Sequence, residues 1–284
     1  MAKILFGKEV TQLIEKRILS LVEDMAEKPC LGLVRVGARP DDLYYQASLE
    51  KACVRLGLTS RLVELEENIS QEQLEAAITA AGEDKTIDGI LLFSPLPGGL
   101  DSQKAGAVIP PAKDVDGLSF LSQAGLFSGR SDVFPPCTPA AVLELLDYYQ
   151  IPLAGQEVVV VGRSQVVGKP LAMLLLARHA TVTICHSKTH NLPGVCRRAD
   201  IVVAAIGRAK MLGADYFRPG QVVIDVGIND DPERPGRICG DLDFAAVEPL
   251  VSQITPVPGG IGGITSALIC WHTAKALVER NAEL

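Results

Sequence analysis

The stretch Val158-Val-Val-Val-Gly162-Arg163-Ser164-Gln-Val-Val-Gly168-Lys169-Pro170 decides how this chain reads. Four consecutive valines, uninterrupted by charge, have the character of a buried parallel strand. Gly162 ends the run, and a helix is predicted over 167–178. A strand that enters a glycine turn and then a helix gathers free backbone N–H groups and the positive end of the helix dipole at one point. That point suits a pyrophosphate. The pattern is G-x-S-x-x-x-G-x-P rather than G-x-G-x-x-G, so the joint alone leaves a plain strand–turn–helix open.

The charges that follow tip the reading toward a dinucleotide. NAD-binding units usually carry an acidic residue about 20 positions on, to hold the ribose 2′-hydroxyl. Residues 163–199 contain no Asp or Glu, but they do contain Arg163, Lys169, Arg178, Lys188, Arg197 and Arg198. The next strand, Thr181–Cys185, runs into His186-Ser187-Lys188-Thr189, where the adenosine ribose would lie. Hydroxyls and bases there suit a 2′-phosphate, so NADP is expected ahead of NAD. Arg178 and the 197–198 pair read better as a solvated face. Further strands are predicted at Ile201–Ala205 and Val222–Val226, with a short helix near 192–198. Asp225-Val-Gly227-Ile228-Asn229 and Thr255-Pro-Val-Pro258-Gly259-Gly260-Ile-Gly262 are loops placed to line the ligand crevice of a doubly wound sheet. Pro-Gly-Gly is equally compatible with a simple turn.

Toward the N-terminus the alternation repeats. Strands are predicted at Leu31–Val36, Arg61–Leu65 and Ile87–Phe93. Helices are predicted at 42–57 and at 70–82, the latter opening on Ser70 and Glu72. This βαβαβ order makes a second parallel sheet the default. Residues 109–138, rich in Pro, Gly, Ser and Asp, read as the inter-domain region, followed by a helix at 139–149. A final helix is predicted over 265–281. The expected fold is α/β in two domains, 1–138 and 139–264, with the closing segment 265–284 completing the first.

Composition narrows the function class. The chain has 284 residues, 48% of them apolar, and a net charge of −7, which gives no general footprint for nucleic acid or an anionic membrane. Seven scattered cysteines with no C-x-x-C pair read as reduced thiols. The His and Cys spacings do not match a metal site, so no metal is expected. No run approaches the roughly 18 apolar residues of a membrane span, and the first eight residues lack a signal-peptide core. A cytoplasmic enzyme is expected.

In this order, V-V-V-G-R-S-x-V-V-G-x-P, C-H-S-K-T, D-V-G-I-N and I-T-P-V-P-G-G-x-G resemble the methylenetetrahydrofolate dehydrogenase/methenyltetrahydrofolate cyclohydrolase family. The N-terminal half adds D-G-I-L at 88–91, P-L-P at 95–97, K-D-V-D-G at 113–117 and P-C-T-P at 136–139. The resemblance covers nearly the whole chain. It implies an N-terminal folate lobe, a Rossmann-like NADP lobe, a folate cleft between them, a tetrahydrofolate derivative as substrate and a homodimer. It implies cofactor contacts from Gly162, Arg163, Ser164, Val167, Gly168, His186, Ser187, Lys188, Thr189, Gly227 and Ile228. It also implies substrate contacts from Tyr45, Leu49, Phe93, Pro95, Leu96, Asp116, Pro258, Gly259, Gly260, Gly263 and Ile264.

The family's reactions oxidise 5,10-methylene-tetrahydrofolate to the methenyl form and then hydrolyse it to 10-formyl-tetrahydrofolate. Its active site uses a Tyr-x-x-x-Lys helix, whose i and i+4 side chains share one face. It also uses a Gln after the third strand and the second Asp of K-D-V-D-G. Here Tyr45 and Asp116 match as catalytic residues, but Leu49 stands at the lysine and Phe93 at the glutamine. Lys51 lies six residues from Tyr45, about 240° around the helix, and cannot substitute. The family's Asn–small–Gly turn corresponds to Gln123-Ala124-Gly125 with one extra residue, and its P-G-G-V-G-P-M-T to Pro258–Thr265 with Gly263 and Ile264. The departures fall on the folate side. Hydrolysis needs an activated water and proton transfers, which Leu and Phe cannot supply. Hydride transfer needs alignment in a dry cleft, with Asp116 holding pterin N–H groups and Tyr45 stacking. The leading expectation is therefore an NADP-dependent dehydrogenase with weak or lost cyclohydrolase. Two readings stay open beside it: a same-fold oxidoreductase acting on another pterin or cyclic amine, and a non-catalytic ligand-binding paralogue.

Overall fold

The N-terminal fifteen-residue helix buries Val10, Ile14 and Ile18 completely, one residue per turn on a single face. The structure, a computed structural model, describes residues 1–282. In chain order it runs β1 (Lys3–Ile4), α1 (Lys8–Val22), β2 (Cys30–Val36), α2 (Pro40–Arg55), β3 (Thr59–Leu65), α3 (Gln71–Glu83), β4 (Gly89–Leu92), α4 (Ser102–Ala107), α5 (Phe120–Phe127) and α6 (Cys137–Tyr148). It continues with β5 (Glu157–Val161), α7 (Gly168–Ala177), β6 (Thr181–Cys185), α8 (Leu192–Arg198), β7 (Ile201–Ala204), β8 (Val222–Asp225), β9 (Asn229–Asp230), β10 (Ile238–Cys239), α9 (Phe244–Val247), β11 (Gln253–Ile254) and α10 (Ile261–Ala282). Residues 283–284, placed in the closing segment by the sequence reading, lie outside the described residues.

The chain forms two compact units, one of Met1–Gln12 with Thr138–Thr265 and one of Leu13–Cys137 with Ser266 onward. The first holds a six-stranded sheet in the order β1-β11-β8-β7-β5-β6, every ladder parallel. The two neighbours of β5 leave it in opposite directions, the switch point at which doubly wound sheets bind ligands. Val159, Val161, Val202, Val223 and Ile254 pack its core. Residues 1–12 correct the sequence reading, which put them in the other domain: Lys3 and Ile4 pair with Gln253 and Ile254. A two-residue strand is too short to leave a period-two signal.

The second unit is built on the parallel sheet β3-β2-β4, over a core that includes Val34, Ile78, Ile90 and Leu92. Ser70 caps α3, with Gln73 as its reciprocal partner in a full capping box. The stretch 109–138 is not a linker. It lies inside this unit, except for Thr138, and contains α5, with Ser119 as its N-cap. Gln123-Ala124-Gly125 is correspondingly helical rather than a turn. Gly125 sits so close to Val133 that a Cβ there would meet it at 2.7 Å, and the small residue that suggests a turn is there for packing. Asp41 and Asp42 occupy the first turn of α2, behind an Arg39 N-cap, and Asp42 pairs with Arg39 at 2.8 Å. The last helix is long and apolar enough to span a membrane by length and composition, with mean hydropathy 1.2, yet 61% of that window is buried inside the protein.

Candidate functional site

On the second unit the site begins with α2. Tyr45 and Leu49 share a helix face, as the spacing requires. Leu49 has no exposed surface and Phe93 is 5% exposed. The Phe93 ring meets Tyr45 edge-on, with centroids 5.7 Å apart and planes at 68°. The Tyr45 hydroxyl hydrogen-bonds the Ser266 side chain, and burial pushes its pKa up beyond the ordinary phenol range. Lys51 is exposed. Leu49 therefore packs with its side chain closed to solvent, one turn beyond Tyr45. Leu96 is half-buried and packs against the sheet's hydrophobic core, whereas Pro95, which follows a cis bond from Ser94, is exposed.

Each residue of Lys113-Asp-Val-Asp116 has a separate task. The Lys113 ammonium donates to the carbonyls of Gly82 and Asp84 at 2.7 Å each, closing the C-terminal end of α3. Asp114, fully buried, accepts from the Leu118 and Ser119 N–H groups at 2.9 and 2.8 Å. The Val115 carbonyl receives the His272 ring at 2.8 Å and the Cys137 thiol at 3.2 Å. With its neighbours thus fixed, Asp116 accepts one N–H, from Cys137, at 2.9 Å. Desolvation pushes its carboxyl up to about 6, against the lowering effect of that N–H. Burial holds His272 neutral, down to about 4. The sequence reading missed Cys137, His272 and Ser266 as partners of this cluster: Cys137 lies 21 residues from Asp116, the other two more than 100 from the residues they meet, and none of these separations leaves a local pattern.

On the first unit, Gly162, Arg163, Ser164, His186 and Ser187 line one cavity of about 270 Å³ at the β5 switch point, together with Ile206, Arg208 and Met211. The glycines are sterically required. A Cβ on Gly162 (φ 139°) would lie 2.1 Å from the Ala205 carbonyl oxygen, and one on Gly168 would lie 2.2 Å from that of Gly162. One expectation is corrected here. The Val167 and Gly168 N–H groups are not free, since both donate to Ser164 Oγ, at 3.1 and 3.3 Å. Positive charge at the cavity comes instead from exposed arginines. Thr189 shapes the turn by accepting from the His186 N–H at 2.8 Å, and the Lys188 N–H donates to His186 Nδ1 at 3.1 Å. Arg178 pairs with Asp147 at 2.6 Å, and Arg197 donates to the Asp215 carbonyl, which fits the solvated-face reading of these two.

A second cavity of about 150 Å³ on the same unit gathers Gly227, Ile228, Pro258, Gly259, Gly260 and Gly263. Ile264 is fully buried and belongs to the core, not to this wall. Asp225, 3% exposed, organises the rim by accepting from the Gly227, Asp241 and Leu242 N–H groups at 2.9–3.0 Å. Burial raises its carboxyl to about 6 despite these bonds.

Comparison with known proteins puts this geometry in a lineage. Residues 136–281 match the family model "Tetrahydrofolate dehydrogenase/cyclohydrolase, NAD(P)-binding domain", and residues 5–116 match that for the catalytic domain. The chain is 55% identical over 279 residues to the bifunctional protein FolD of Carboxydothermus hydrogenoformans, covering 97% of each. The bifunctional FolD structure from Campylobacter jejuni superposes with a TM-score of 0.94 at 36% identity, covering 99% of this chain and all of that one. The Trypanosoma brucei methylenetetrahydrofolate dehydrogenase-cyclohydrolase, solved with NADP cofactor and inhibitor, superposes at 0.92 with 32% identity, covering 100% of this chain and 99% of that one. Neither the changed-substrate nor the non-catalytic reading gains from these relatives. Two family models in tandem and near-complete coverage show that this chain belongs to the tetrahydrofolate dehydrogenase/cyclohydrolase family.

Proposed function

We propose that this protein is an NADP-dependent 5,10-methylenetetrahydrofolate dehydrogenase whose cyclohydrolase step is weak or lost. The Campylobacter jejuni and Trypanosoma brucei proteins carry both activities in their names, so the distinction rests on this chain's own residues. The observation that carries it is the sealed apolar pair Leu49 and Phe93, 0% and 5% exposed, beside Tyr45. Hydrolysis requires a water held beside the methenyl carbon, a base to take its proton and an acid to protonate the departing ring nitrogen. Neither an aliphatic nor a phenyl side chain can hold a water or move a proton, and Leu49 admits no solvent.

Oxidation makes smaller demands. A dinucleotide held by these residues would supply the hydride acceptor for the methylene carbon, and the substrate's own two nitrogens would share the positive charge left behind. This chain's part is to bind, orient and exclude water. Asp116 supplies a carboxylate for the pterin's N–H donors, Tyr45 supplies an aromatic face, and Phe93 keeps the surroundings dry. The cofactor residues fit a phosphorylated dinucleotide. Arg163, Arg208, His186 and Ser187 share one cavity in which no carboxylate takes part, and a 2′-phosphate needs bases and hydroxyls there. A homodimer is part of the same proposal, by resemblance.

The test pairs two assays on the purified protein. NADPH formation from methylene-tetrahydrofolate, with methenyl-tetrahydrofolate decaying only at its spontaneous rate, is expected. Enzymatic decay of the methenyl compound by the unaltered protein would overturn the cyclohydrolase half. The double substitution Leu49→Lys with Phe93→Gln is expected to raise that decay about tenfold or more above the parent.

A further inference from the structure

The turn after β7 is shaped from inside by one carboxylate. Asp241 has no exposed surface. Its Oδ2 accepts from the N–H groups of Ile206 at 2.6 Å and Gly207 at 3.1 Å, and its Oδ1 from the Arg208 N–H and the Asn229 side-chain amide at 2.9 Å each. Three successive backbone amides converging on one point form a nest that elsewhere in proteins receives a ligand anion. Here a side chain fills it. The carboxylate is itself fixed: the Asp241 N–H donates to Asp225 Oδ1 at 3.0 Å, and its carbonyl accepts from the Leu212 N–H at 3.0 Å.

This turn borders the cavity that holds Arg163 and Ser187, and Ile206 and Arg208 line it directly. Arg208 is exposed, and among the described residues no carboxylate pairs with its side chain. Its main chain is pinned while its guanidinium is free, the arrangement expected of a phosphate ligand whose direction is set by its backbone.

We infer that Asp241 is a positioning residue for dinucleotide binding, setting the 206–208 turn so that the Arg208 guanidinium is presented to the phosphates of the dinucleotide. This rests on the reading of that cavity as the NADP site. The position calls for two oxygens that both accept. An asparagine would turn its amide N–H₂ toward backbone N–H donors and leave buried donors unmatched.

The experiment measures the NADP⁺ dissociation constant by titration calorimetry on the full chain and on Asp241→Asn, Arg208→Met and the double variant. KM values for both substrates are measured alongside. Each single substitution is expected to weaken NADP⁺ about tenfold. The double variant should be no weaker than Asp241→Asn alone, since an arginine no longer presented has nothing left to lose. The folate KM, which these residues do not contact, should stay within about twofold of the parent, while the KM for NADP⁺ rises with the dissociation constant. Additive losses in the double variant would overturn the inference, as would unchanged NADP⁺ affinity in either single variant. Should Asp241→Asn fail to fold, Asn229→Ala removes one donor to the same carboxylate, and its effect must again vanish on an Arg208→Met background. Parent protein that does not bind NADP⁺ would instead break the cofactor reading, a result separable from all of these.

Discussion

The two units carry their chemistry in opposite ways. In the unit of residues 138–265, Arg163, Arg208, His186 and Ser187 stand at the cavity with their charges and hydroxyls turned outward, on a frame of buried valine strands. In the unit of residues 13–137, Tyr45 is hemmed by Phe93 and sits on a helix turn with Leu49, so the polar groups left for a substrate reduce largely to Asp116. On the proposed reading, the first region grips phosphates, while the second has Leu49 and Phe93 in place of a lysine and a glutamine beside Tyr45. That reading assigns cofactor binding and water activation to separate residues, so that one can be lost while the other is kept.

The largest test of this contrast is at Asp116. Asp116→Asn is expected to lower the dehydrogenase kcat/KM about a hundredfold, because a carboxylate paired with pterin N–H groups is replaced by an amide with one acceptor. NADP⁺ affinity should not move, and a parallel loss there would dissolve the division of labour. A smaller effect is expected at Arg163. Arg163→Met should weaken NADP⁺ about tenfold while leaving NAD⁺ nearly unaffected, which a comparison of the two dissociation constants reads directly. Equal weakening of both would place the arginine on the pyrophosphate instead of the 2′-phosphate.

The smallest effect is on stability. Asp116 titrates at about 6 in the fold, above the roughly 3.9 of an unfolded aspartate. The folded state therefore holds the proton more tightly, and stability is lost as pH rises from about 4 to about 6. Asp116→Asn removes that loss. Its melting temperature should match the parent's near pH 4 and exceed it at pH 7, by an amount worth on the order of 1 kcal/mol. A constant difference across this range would mean that the carboxylate is not desolvated.

Much of the fold was legible because its central strands are buried on both faces, its edge strand Thr181–Cys185 is built mostly of β-branched residues, and its glycines are sterically required. Four valines before Gly162, and Thr181–Cys185, can be read from residue type alone, and the strand matches to the residue. The missed elements are those whose signal is weak or mixed. Strand β1 has two residues. Helix α5 hides among Ser, Gly and Pro, because its glycine and serine serve close packing. At the candidate site, Arg163 and Ser187 stand out because bases accumulate where acids are absent. Asp241, Cys137, His272 and Arg208 do not, since what matters about them is the carbonyl, amide or cavity they meet across the chain. Leu49 and Ile264 show the converse: a position identified by alignment carries no information about whether its side chain reaches the surface.

The chain's division has a consequence for its synthesis. Strand β1 pairs with β11, so residues 3–4 wait for residues 253–254, and the second unit takes in Ser266 onward from α10. Neither unit is a continuous segment that could finish folding as it leaves the ribosome. The β3-β2-β4 sheet has all its strands by Leu92, but the six-stranded sheet gains its β11–β1 edge, and the second unit its closing helix, only within the last thirty or so residues. A nascent chain stalled at residue 250 should accordingly be far more sensitive to protease than its length suggests, and a premature stop there should yield no usable half.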